Sequence, residues 1–191
     1  MLNIVLFGPP GAGKGTQAKK LEDKYGVNHI STGEVIRDEI RGNTDLGNSV
    51  KAFIERGELA PDGLVIKLVA DYLEHHINPA GNIYDGFPRT TVQAEEFDKM
   101  LDAHKLSVDV MLSLEVPEEE LVKRLLLRGN ESGRADDFSE EVIRNRLDIY
   151  NRQTAVVADY YSQQGKYKPI NGIGSIDEVF ERLCREIDKH I

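Results

Sequence analysis

Short apolar runs alternate with longer amphipathic stretches along most of the chain. The runs with the length of a strand are LNIVLF (2–7), NHIS (28–31), NIYD (82–85), VDVMLSLEV (108–116) and YKPIN (167–171). Between them, apolar residues recur every three or four positions, as in residues 61–77 and in one long stretch from about 140 to 163. Strands that alternate with helices are typical of a parallel sheet covered on both faces, so the sequence predicts an α/β fold.

Two segments fit this alternation less well. Residues 31–60 contain two short helical patterns, which break at Gly42 and Gly57, and no apolar run of their own. We expect this segment to be a helical insertion that moves as a unit. The sequence RGNESGRADD (128–137) is polar and carries two glycines and charges of both signs, which is typical of a surface loop.

A glycine-rich loop, GPPGAGKGTQ (8–17), follows the first apolar run. It resembles the phosphate-binding pattern G-x-x-x-x-G-K-[ST], with both glycines and Lys14 in place. Backbone N–H groups at such a strand-to-helix turn converge on phosphate oxygens, which the lysine also reaches. Gly15 replaces the hydroxyl that usually follows the lysine, and Thr16 supplies it one position later, which predicts a metal held mainly by phosphates and water. The loop alone leaves a GTPase, an ATPase and a small-molecule kinase open.

Composition and charge narrow the class of protein. The chain has 191 residues, enough for one main domain, and a net charge of −9, which disfavours a broad contact with nucleic acid or an anionic membrane. Its one cysteine, Cys184, cannot form an internal disulfide, and no cysteine cluster could hold zinc. No apolar stretch reaches the length of a membrane span or resembles a signal peptide, so we expect a cytoplasmic protein.

The segment DGFPRTTVQ (85–93) adds candidates for the other half of a phosphate site. Asp85 ends an apolar run, a suitable place for a carboxylate that organises Mg²⁺-bound waters. Arg89 follows on the side of the sheet where ligands gather, although taken alone it is equally consistent with a structural role. Together with the phosphate loop, STG (31–33), Arg37 and GELAPD (57–62), these motifs resemble the adenylate kinase family in their order and over nearly the whole chain.

That resemblance implies a fold, a domain organisation and a reaction. The fold is a five-stranded parallel core with helices on both faces, made of residues 1–30, 61–126 and 138–191, with an AMP-binding insertion (31–60) and a short lid (127–137). The reaction is ATP + AMP ⇌ 2 ADP by direct in-line transfer with Mg²⁺, in a protein that is a monomer. The long lid that holds zinc in some relatives is absent, which removes the case for a structural zinc ion.

The resemblance also implies site residues, which fall into three overlapping groups. The residues expected to bind ATP are Gly11, Ala12, Gly13, Lys14, Gly15, Thr16, Arg128 and Gly174. The residues expected to bind AMP, with Gln93 at the adenine edge, are Thr32, Arg37, Glu58, Leu59, Ala60, Gly86, Phe87, Pro88, Arg89, Gln93, Arg134 and Arg146. The cations expected to surround the transferred phosphoryl group are Lys14, Arg89, Arg124, Arg128, Arg134 and Arg146.

Several features of the sequence bear on alternatives to this assignment. A UMP/CMP kinase shares the scaffold and the arginines, but Thr32, Thr90 and Gln93 favour AMP as the acceptor. A nucleotide-dependent switch would need a guanine-binding N-K-x-D stretch, which the chain lacks. The spacing of Arg124 from Glu120 also allows an ordinary ion pair on a helix surface. Phe138 receives no functional interpretation.

Overall fold

A computed structural model describes residues 1–75, 78–132, 135–137 and 139–191. The strands are β1 (Leu2–Phe7), β2 (Asn28–Ser31), β3 (Gly81–Asp85), β4 (Val110–Glu115) and β5 (Tyr167–Asn171). They form a five-stranded sheet in the order β2-β3-β1-β4-β5, and every neighbouring pair is parallel. The predicted parallel sheet is therefore confirmed, and each apolar run supplies one strand.

The central strand, β1, sets the register of the sheet. Leu2 lies opposite Gly81 of β3, and Ile4 lies opposite both Ile83 of β3 and Val110 of β4. All six residues of β1 are buried. A strand covered on both faces is apolar at nearly every position, which explains why LNIVLF shows no regular polar alternation. Its one polar side chain, Asn3, is buried and accepts hydrogen bonds from Asn82 and Tyr84.

The helices cover both faces of this sheet. In chain order they are α1 (Lys14–Tyr25), α2 (Thr32–Arg41), α3 (Asp45–Glu55), α4 (Asp62–His75), α5 (Thr91–Ala103), α6 (Glu118–Ser132), α7 (Glu140–Ile149), α8 (Val156–Gln163) and α9 (Ile176–Ile187). A short 3₁₀ helix spans Ala135–Asp137, and a π-helical segment spans Tyr150–Thr154. The described part of the chain is thus a three-layer arrangement of helix, sheet and helix.

Alternation along β1 produces two hydrophobic cores. Ile4 and Leu6 pack with side chains of α1, α6, α7 and α9 on one face of the sheet. Val5 and Phe7 point to the opposite face and pack with side chains of α4, α5 and α8. Successive side chains of a strand leave on opposite faces, so one short strand anchors both cores.

The segment 31–60 forms the two helices that its pattern predicts. The Ser31 side chain caps the start of α2 by accepting a hydrogen bond from the Glu34 backbone, and the helix ends at Arg41 with Gly42 as its C-cap. The Thr44 hydroxyl likewise accepts from the backbone N–H of Gly47 at the start of α3. Helix caps of this kind satisfy N–H groups that have no partner within the helix. The limits of the insertion as a moving unit stay a prediction.

The long helical stretch after residue 140 is not one regular α-helix. Between α7 and α8 the backbone N–H of Ala155 donates to the carbonyl of Tyr150 at 2.8 Å, a bond across five residues. Such π-helical turns insert one residue into a helix and often occur beside functional sites. Here the turn brings Tyr150 and Thr154 to the wall of the cavity described below.

The order of the strands creates a crevice at one edge of the sheet. After β1 the chain continues to β2 and β3 on one side, while β4 and β5 lie on the other. In open α/β sheets, ligands bind at the carboxyl ends of the strands where the winding reverses in this way. Of the helices in the described residues, none is long and apolar enough to cross a membrane.

Candidate active site

A cavity of about 660 Å³ opens at the carboxyl ends of β1, β2 and β3. It brings together the phosphate loop, the start of α2, the loop after α3, the loop after β3 and the ends of α6 and α7. The residues singled out from the sequence that line it are Gly11, Gly13, Lys14, Gly15, Thr16, Thr32, Arg37, Glu58, Leu59, Ala60, Asp85, Gly86, Pro88, Arg89, Gln93, Arg128 and Arg146. Segments that are distant in the sequence thus converge on one space.

Some of the expected residues are placed elsewhere. Those among the described residues that do not line the cavity are Ala12, Phe87, Gly174 and Arg124. Ala12 and Phe87 are buried beneath the loops that carry their neighbours. Gly174 lies just before α9 and has a φ of +120°. Arg134 and Phe138 lie outside the described residues.

Arg124 forms the ion pair that its spacing allowed. Its Nε donates to Glu120 Oε1 at 2.8 Å, one helical turn earlier in α6. Its terminal nitrogens also lie 3.5 Å from the carbonyl oxygen of Gly172, in the loop that contains Gly174. The structure therefore places Arg124 beside the loop before α9, away from Lys14 and Arg89.

The phosphate loop presents backbone N–H donors at the N-terminus of α1. Gly13 precedes the helix in a left-handed conformation and supplies no side-chain cap. The first N–H groups of α1 therefore have no side-chain acceptor from the cap residue, and together with the helix dipole they form an anion-binding surface. At Gly8, with a φ of +132°, a Cβ would approach the carbonyl oxygen of Leu114 to 2.7 Å, so the close packing of the loop on β4 requires glycine.

Lys14 turns back over this loop. Its Nζ donates to the carbonyl oxygens of Gly8 at 2.8 Å and Pro9 at 3.0 Å. Burial, together with the charges of Arg89 and Arg146, lowers the pKa of Lys14 from 10.5 to about 8, although the negative charge of Asp85 opposes the change. An ammonium destabilised in this way gains a strongly favourable partner when a polyphosphate enters the cavity.

Asp85 lies at the end of β3 and faces Gly15, the position at which a phosphate loop usually carries a hydroxyl group. A Cβ built on Gly15 would lie 3.7 Å from Asp85 Oδ2, and a hydrogen bond of 3.4 Å joins the same oxygen to His29 Nε2. Burial raises the pKa of Asp85, but the hydrogen bond from His29 and the positive charge of Lys14 outweigh it and lower the pKa overall. The carboxyl group is therefore ionised at neutral pH.

The guanidinium groups of Arg37 and Arg89 converge on Gly33. A Cβ on Gly33 would lie 3.2 Å from Arg37 Nη1 and 3.6 Å from Arg89 Nη2. Arg89 Nε donates to the carbonyl of Gly86 at 2.7 Å, and the Thr32 hydroxyl donates to the same oxygen at 3.0 Å. Burial lowers the pKa of Arg89, and the charge of Arg146 adds to this effect. Glycine at position 33 keeps this approach open for an anionic group.

Gln93 lies behind Arg89 and is held at both ends of its amide. Its Oε1 accepts from the backbone N–H of Arg89 at 2.8 Å, and its Nε2 donates to Asp62 Oδ1 at 2.7 Å. The Thr90 hydroxyl donates to the same Asp62 oxygen at 3.1 Å. The side chain that is expected to contact a base is thus fixed by protein groups.

Two buried carboxylates hold the arginines at the opposite wall. Arg128 Nε lies 2.6 Å from Asp137 Oδ2, and Arg146 forms ion pairs with both Asp137 and Asp136. Burial raises the pKa of Asp137, but the hydrogen bond from Arg128 and the charge of Arg146 outweigh it and lower the pKa. The carboxylates fix both guanidinium groups at the edge of the cavity.

The loop after α3 packs directly against α7. Gly57 has a φ of +73°, and a Cβ there would approach Arg146 Cγ to 2.6 Å. The Asn145 side chain donates to the carbonyl of Arg56 at 2.8 Å. The insertion therefore touches the stem of an arginine that lines the cavity.

Sequence reasoning assigned no role to three carboxylates and one histidine that organise the site. Asp136 and Asp137 lie in a polar loop with no local pattern to mark them, although each is close in sequence to an expected arginine. Asp62 lies 31 residues from Gln93, its hydrogen-bond partner. His29 belongs to a short strand with no chemical signature. Only their positions in the fold identify them.

The fold and the site together define a class of protein. A parallel α/β sheet carries a phosphate loop with a half-buried lysine, and a group of arginines faces that loop across one cavity. A cavity with two separate groups of cations suits two phosphorylated ligands. The protein is a phosphotransferase of the P-loop class.

Comparison with known proteins gives the family. A family model described as adenylate kinase matches residues 6–166. The chain is 50% identical over 188 residues to the adenylate kinase of Bacteroides fragilis, covering 98% of this chain and 99% of the relative. It is 50% identical to the enzyme of Bacteroides thetaiotaomicron over 99% of this chain and 100% of the relative, and 47% identical to that of Flavobacterium johnsoniae over 98% and 99%. The chain belongs to the adenylate kinase family, so it is a nucleoside monophosphate kinase, and the UMP/CMP kinase alternative is not favoured.

Proposed function

We propose that the protein transfers the γ-phosphoryl group of ATP to the phosphate of AMP, reversibly and with Mg²⁺, and so balances the adenine nucleotides. The observation that carries this proposal is the shared cavity, in which Lys14 and the phosphate loop face Arg37 and Arg89. One group of cations suits the donor phosphates and the other suits an acceptor phosphate. Both groups are needed for direct transfer between two polyanions.

The chemistry requires no general base. The phosphate of AMP has a second pKa of about 6, so it is largely a dianion at neutral pH. One of its oxygens attacks the γ-phosphorus of ATP. The bond from that phosphorus to the oxygen that bridges the β- and γ-phosphates breaks, and ADP leaves with the electron pair. Positioning and charge stabilisation therefore supply the catalysis.

The arrangement of cations supports a role for each. Lys14 and the N–H groups of α1 would hold the donor phosphates, and Arg37 and Arg89 would hold the acceptor phosphate. Arg128 and Arg146 would exchange their carboxylate partners for oxygens of the transferred group. The roles of Arg124, Arg134 and Gly174 rest on the family resemblance alone.

Mg²⁺ suits the donor set of this cavity. Within the described residues, no three His, Cys, Asp or Glu side chains form a cluster that could hold a metal by themselves. The ionised Asp85 and the Thr16 hydroxyl line the cavity beside the phosphate loop. They would orient metal-bound waters while the phosphates supply the direct ligands. The ion would neutralise charge on the donor phosphates.

Two segments would close over the bound nucleotides. The insertion (31–60) and the short lid (127–137) carry cavity residues at opposite walls, and their closure would keep water from competing with AMP. Gly57 of the insertion packs against Arg146 of α7, and Arg146 pairs with Asp137 of the lid, which supports a mechanical link between the two segments. From the resemblance we also propose a monomer that acts in the cytoplasm.

The decisive experiment compares acceptors. Transfer from Mg-ATP is measured to AMP, UMP, CMP and GMP in parallel, with a reaction that lacks an acceptor as the control. We expect rapid ADP formation with AMP and little hydrolysis without it. Preference for UMP or CMP would overturn the base assignment, and hydrolysis indifferent to the acceptor would overturn the reaction.

A further inference from the structure

The amide of Gln93 can adopt only one of its two orientations. The side chain is 1% exposed, and its two ends meet partners of opposite character. The backbone N–H of Arg89 can only donate, and it faces Oε1; the carboxylate of Asp62 can only accept, and it faces Nε2. A flipped amide would place oxygen against the carboxylate and N–H against N–H.

The groups that impose this orientation belong to regular elements. Asp62 is the first residue of α4, and Thr90 caps α5. The Thr90 hydroxyl accepts from the backbone N–H of Gln93 at 3.2 Å while it donates to Asp62. Asp62 itself does not line the cavity, whereas Gln93 does. Within the described part of the chain, Gln93 is the hydrogen-bond partner through which this carboxylate reaches the cavity.

We propose that Asp62 is a positioning residue that sets the selectivity for the acceptor base by fixing the Gln93 amide. This inference rests on the proposed function, since it concerns the nucleotide that accepts the phosphoryl group. Adenine carries an amino donor at position 6, where 6-oxopurines carry an acceptor. The fixed Oε1 keeps a second lone pair for the amino group. It repels a 6-oxo group, which would need the flipped amide.

The test uses AMP and IMP, which differ in this part of the base. The values of kcat and KM are measured for both acceptors with Mg-ATP, in the wild type and in Asp62→Asn. Asparagine can offer either its oxygen or its NH₂ group, so it accepts both orientations of Gln93. We expect the preference for AMP over IMP to fall by about tenfold, mainly through KM, because one charge-assisted hydrogen bond no longer opposes the flip. The N–H of Arg89 still favours the original orientation, so the preference does not reverse.

The control is Asp45→Asn, which removes the carboxylate from the first residue of α3. Asp45 is exposed, and it occupies the same helical position as Asp62 without touching the Gln93 amide. We expect this variant to keep the AMP/IMP ratio of the wild type. A similar fall in both variants would show that a general loss of helix stability is responsible, and would overturn the proposal.

The remaining outcomes are also decisive. An unchanged AMP/IMP ratio in Asp62→Asn, or an equal loss of activity with both acceptors, would overturn the proposal. Activity of the wild type with AMP would still uphold the proposed function in that case. A wild type that does not use AMP would overturn both. Should Asp62→Asn not fold, NMR of the unmodified protein decides: we expect a through-hydrogen-bond coupling between Gln93 Nε2 and Asp62 Cγ, and its absence would refute the inference.

Discussion

The half-buried ammonium of Lys14 makes the stability of the free protein depend on pH in a predictable way. Burial lowers its pKa from 10.5 to about 8, so between these values the unfolded chain binds a proton that the folded protein does not. Stability rises with pH wherever the unfolded state binds more protons. As the pH rises through about 8 toward 10.5, the wild type should therefore gain stability relative to a variant without this ammonium. Below about pH 8 the full cost of burying the charged ammonium should destabilise the folded wild type.

The size of the effect follows from the same two pKa values. For the full change in pKa, the gain between about pH 6.5 and about pH 9.5 is about 2 kcal/mol. Lys14 is only half-buried in the cavity, and solvent screening reduces the expected gain to about 1 kcal/mol. The hydrogen bonds from Nζ to Gly8 and Pro9 offset part of the burial penalty. The prediction therefore concerns the slope with pH and leaves the absolute difference at one pH aside.

The assay is urea unfolding of the wild type and of Lys14→Met at several pH values across this range. Comparing the two proteins cancels the tyrosines, which titrate in both. Lys123→Met, at an exposed position of α6, is the control and should give a curve parallel to the wild type. Parallel curves for Lys14→Met would refute the displaced pKa. The same variant should lose phosphoryl transfer while staying folded, since the donor phosphates lose a cation.

Three further substitutions test the site. Arg89→Lys should fold normally but lose about 3 kcal/mol of transition-state stabilisation, measured from kcat/KM, because lysine cannot reproduce a bidentate contact. Arg144→Lys, on the exposed face of α7, is the control. Near-wild-type turnover in Arg89→Lys would contradict the role of Arg89. Asp137→Asn should lower the free energy of unfolding by about 2 kcal/mol at neutral pH, because Arg128 and Arg146 lose a buried partner. Because the pKa of Asp137 is lowered in the folded protein, the advantage of the wild type over Asp137→Asn should vanish as the pH falls through the acid range. Equal stability of the two proteins at neutral pH would refute this prediction. Gly57→Ala should cost about 1 kcal/mol more than Gly165→Ala in urea unfolding, since both have a φ of +73° but only Gly57 faces Arg146; equal costs would remove the steric contact.

The sequence predicts the strands well because burial on both faces leaves a continuous apolar signal. It predicts their ends less well. The run 108–116 contains Val108, which is 1% exposed but precedes β4, so its apolar character reflects burial without strand pairing. The π-helical turn after Tyr150 was missed because one inserted residue hardly alters a helical pattern. Local periodicity reports which residues are covered and says little about how the backbone pairs.

The candidate site divides along a similar line. Lys14 and Arg89 belong to contiguous motifs whose spacing reports a local geometry, and both line the cavity. The carboxylates Asp62 and Asp137 act through partners on other elements, so no spacing announces them. Arg124 shows the limit of spacing itself, because a pair four residues apart on a helix suits an ion pair with Glu120 as well as a phosphate contact. Which of these it serves with nucleotide bound stays a prediction.

The chain is acidic overall, but the cations of its cavity are held by acceptors that the phosphates of a ligand can replace. Lys14 donates to loop carbonyls, Arg89 donates to the carbonyl of Gly86, and Arg128 and Arg146 rest on buried carboxylates. Each cation is thus oriented before a ligand arrives, which reduces the cost of ordering long side chains. Phosphate oxygens would then replace weaker or neutral acceptors at Lys14 and Arg89, while at Arg128 and Arg146 they must displace ionised carboxylates. Binding at the two arginines of the lid side should therefore be the more selective step, since only a highly charged group, such as the one in transfer, competes with Asp137.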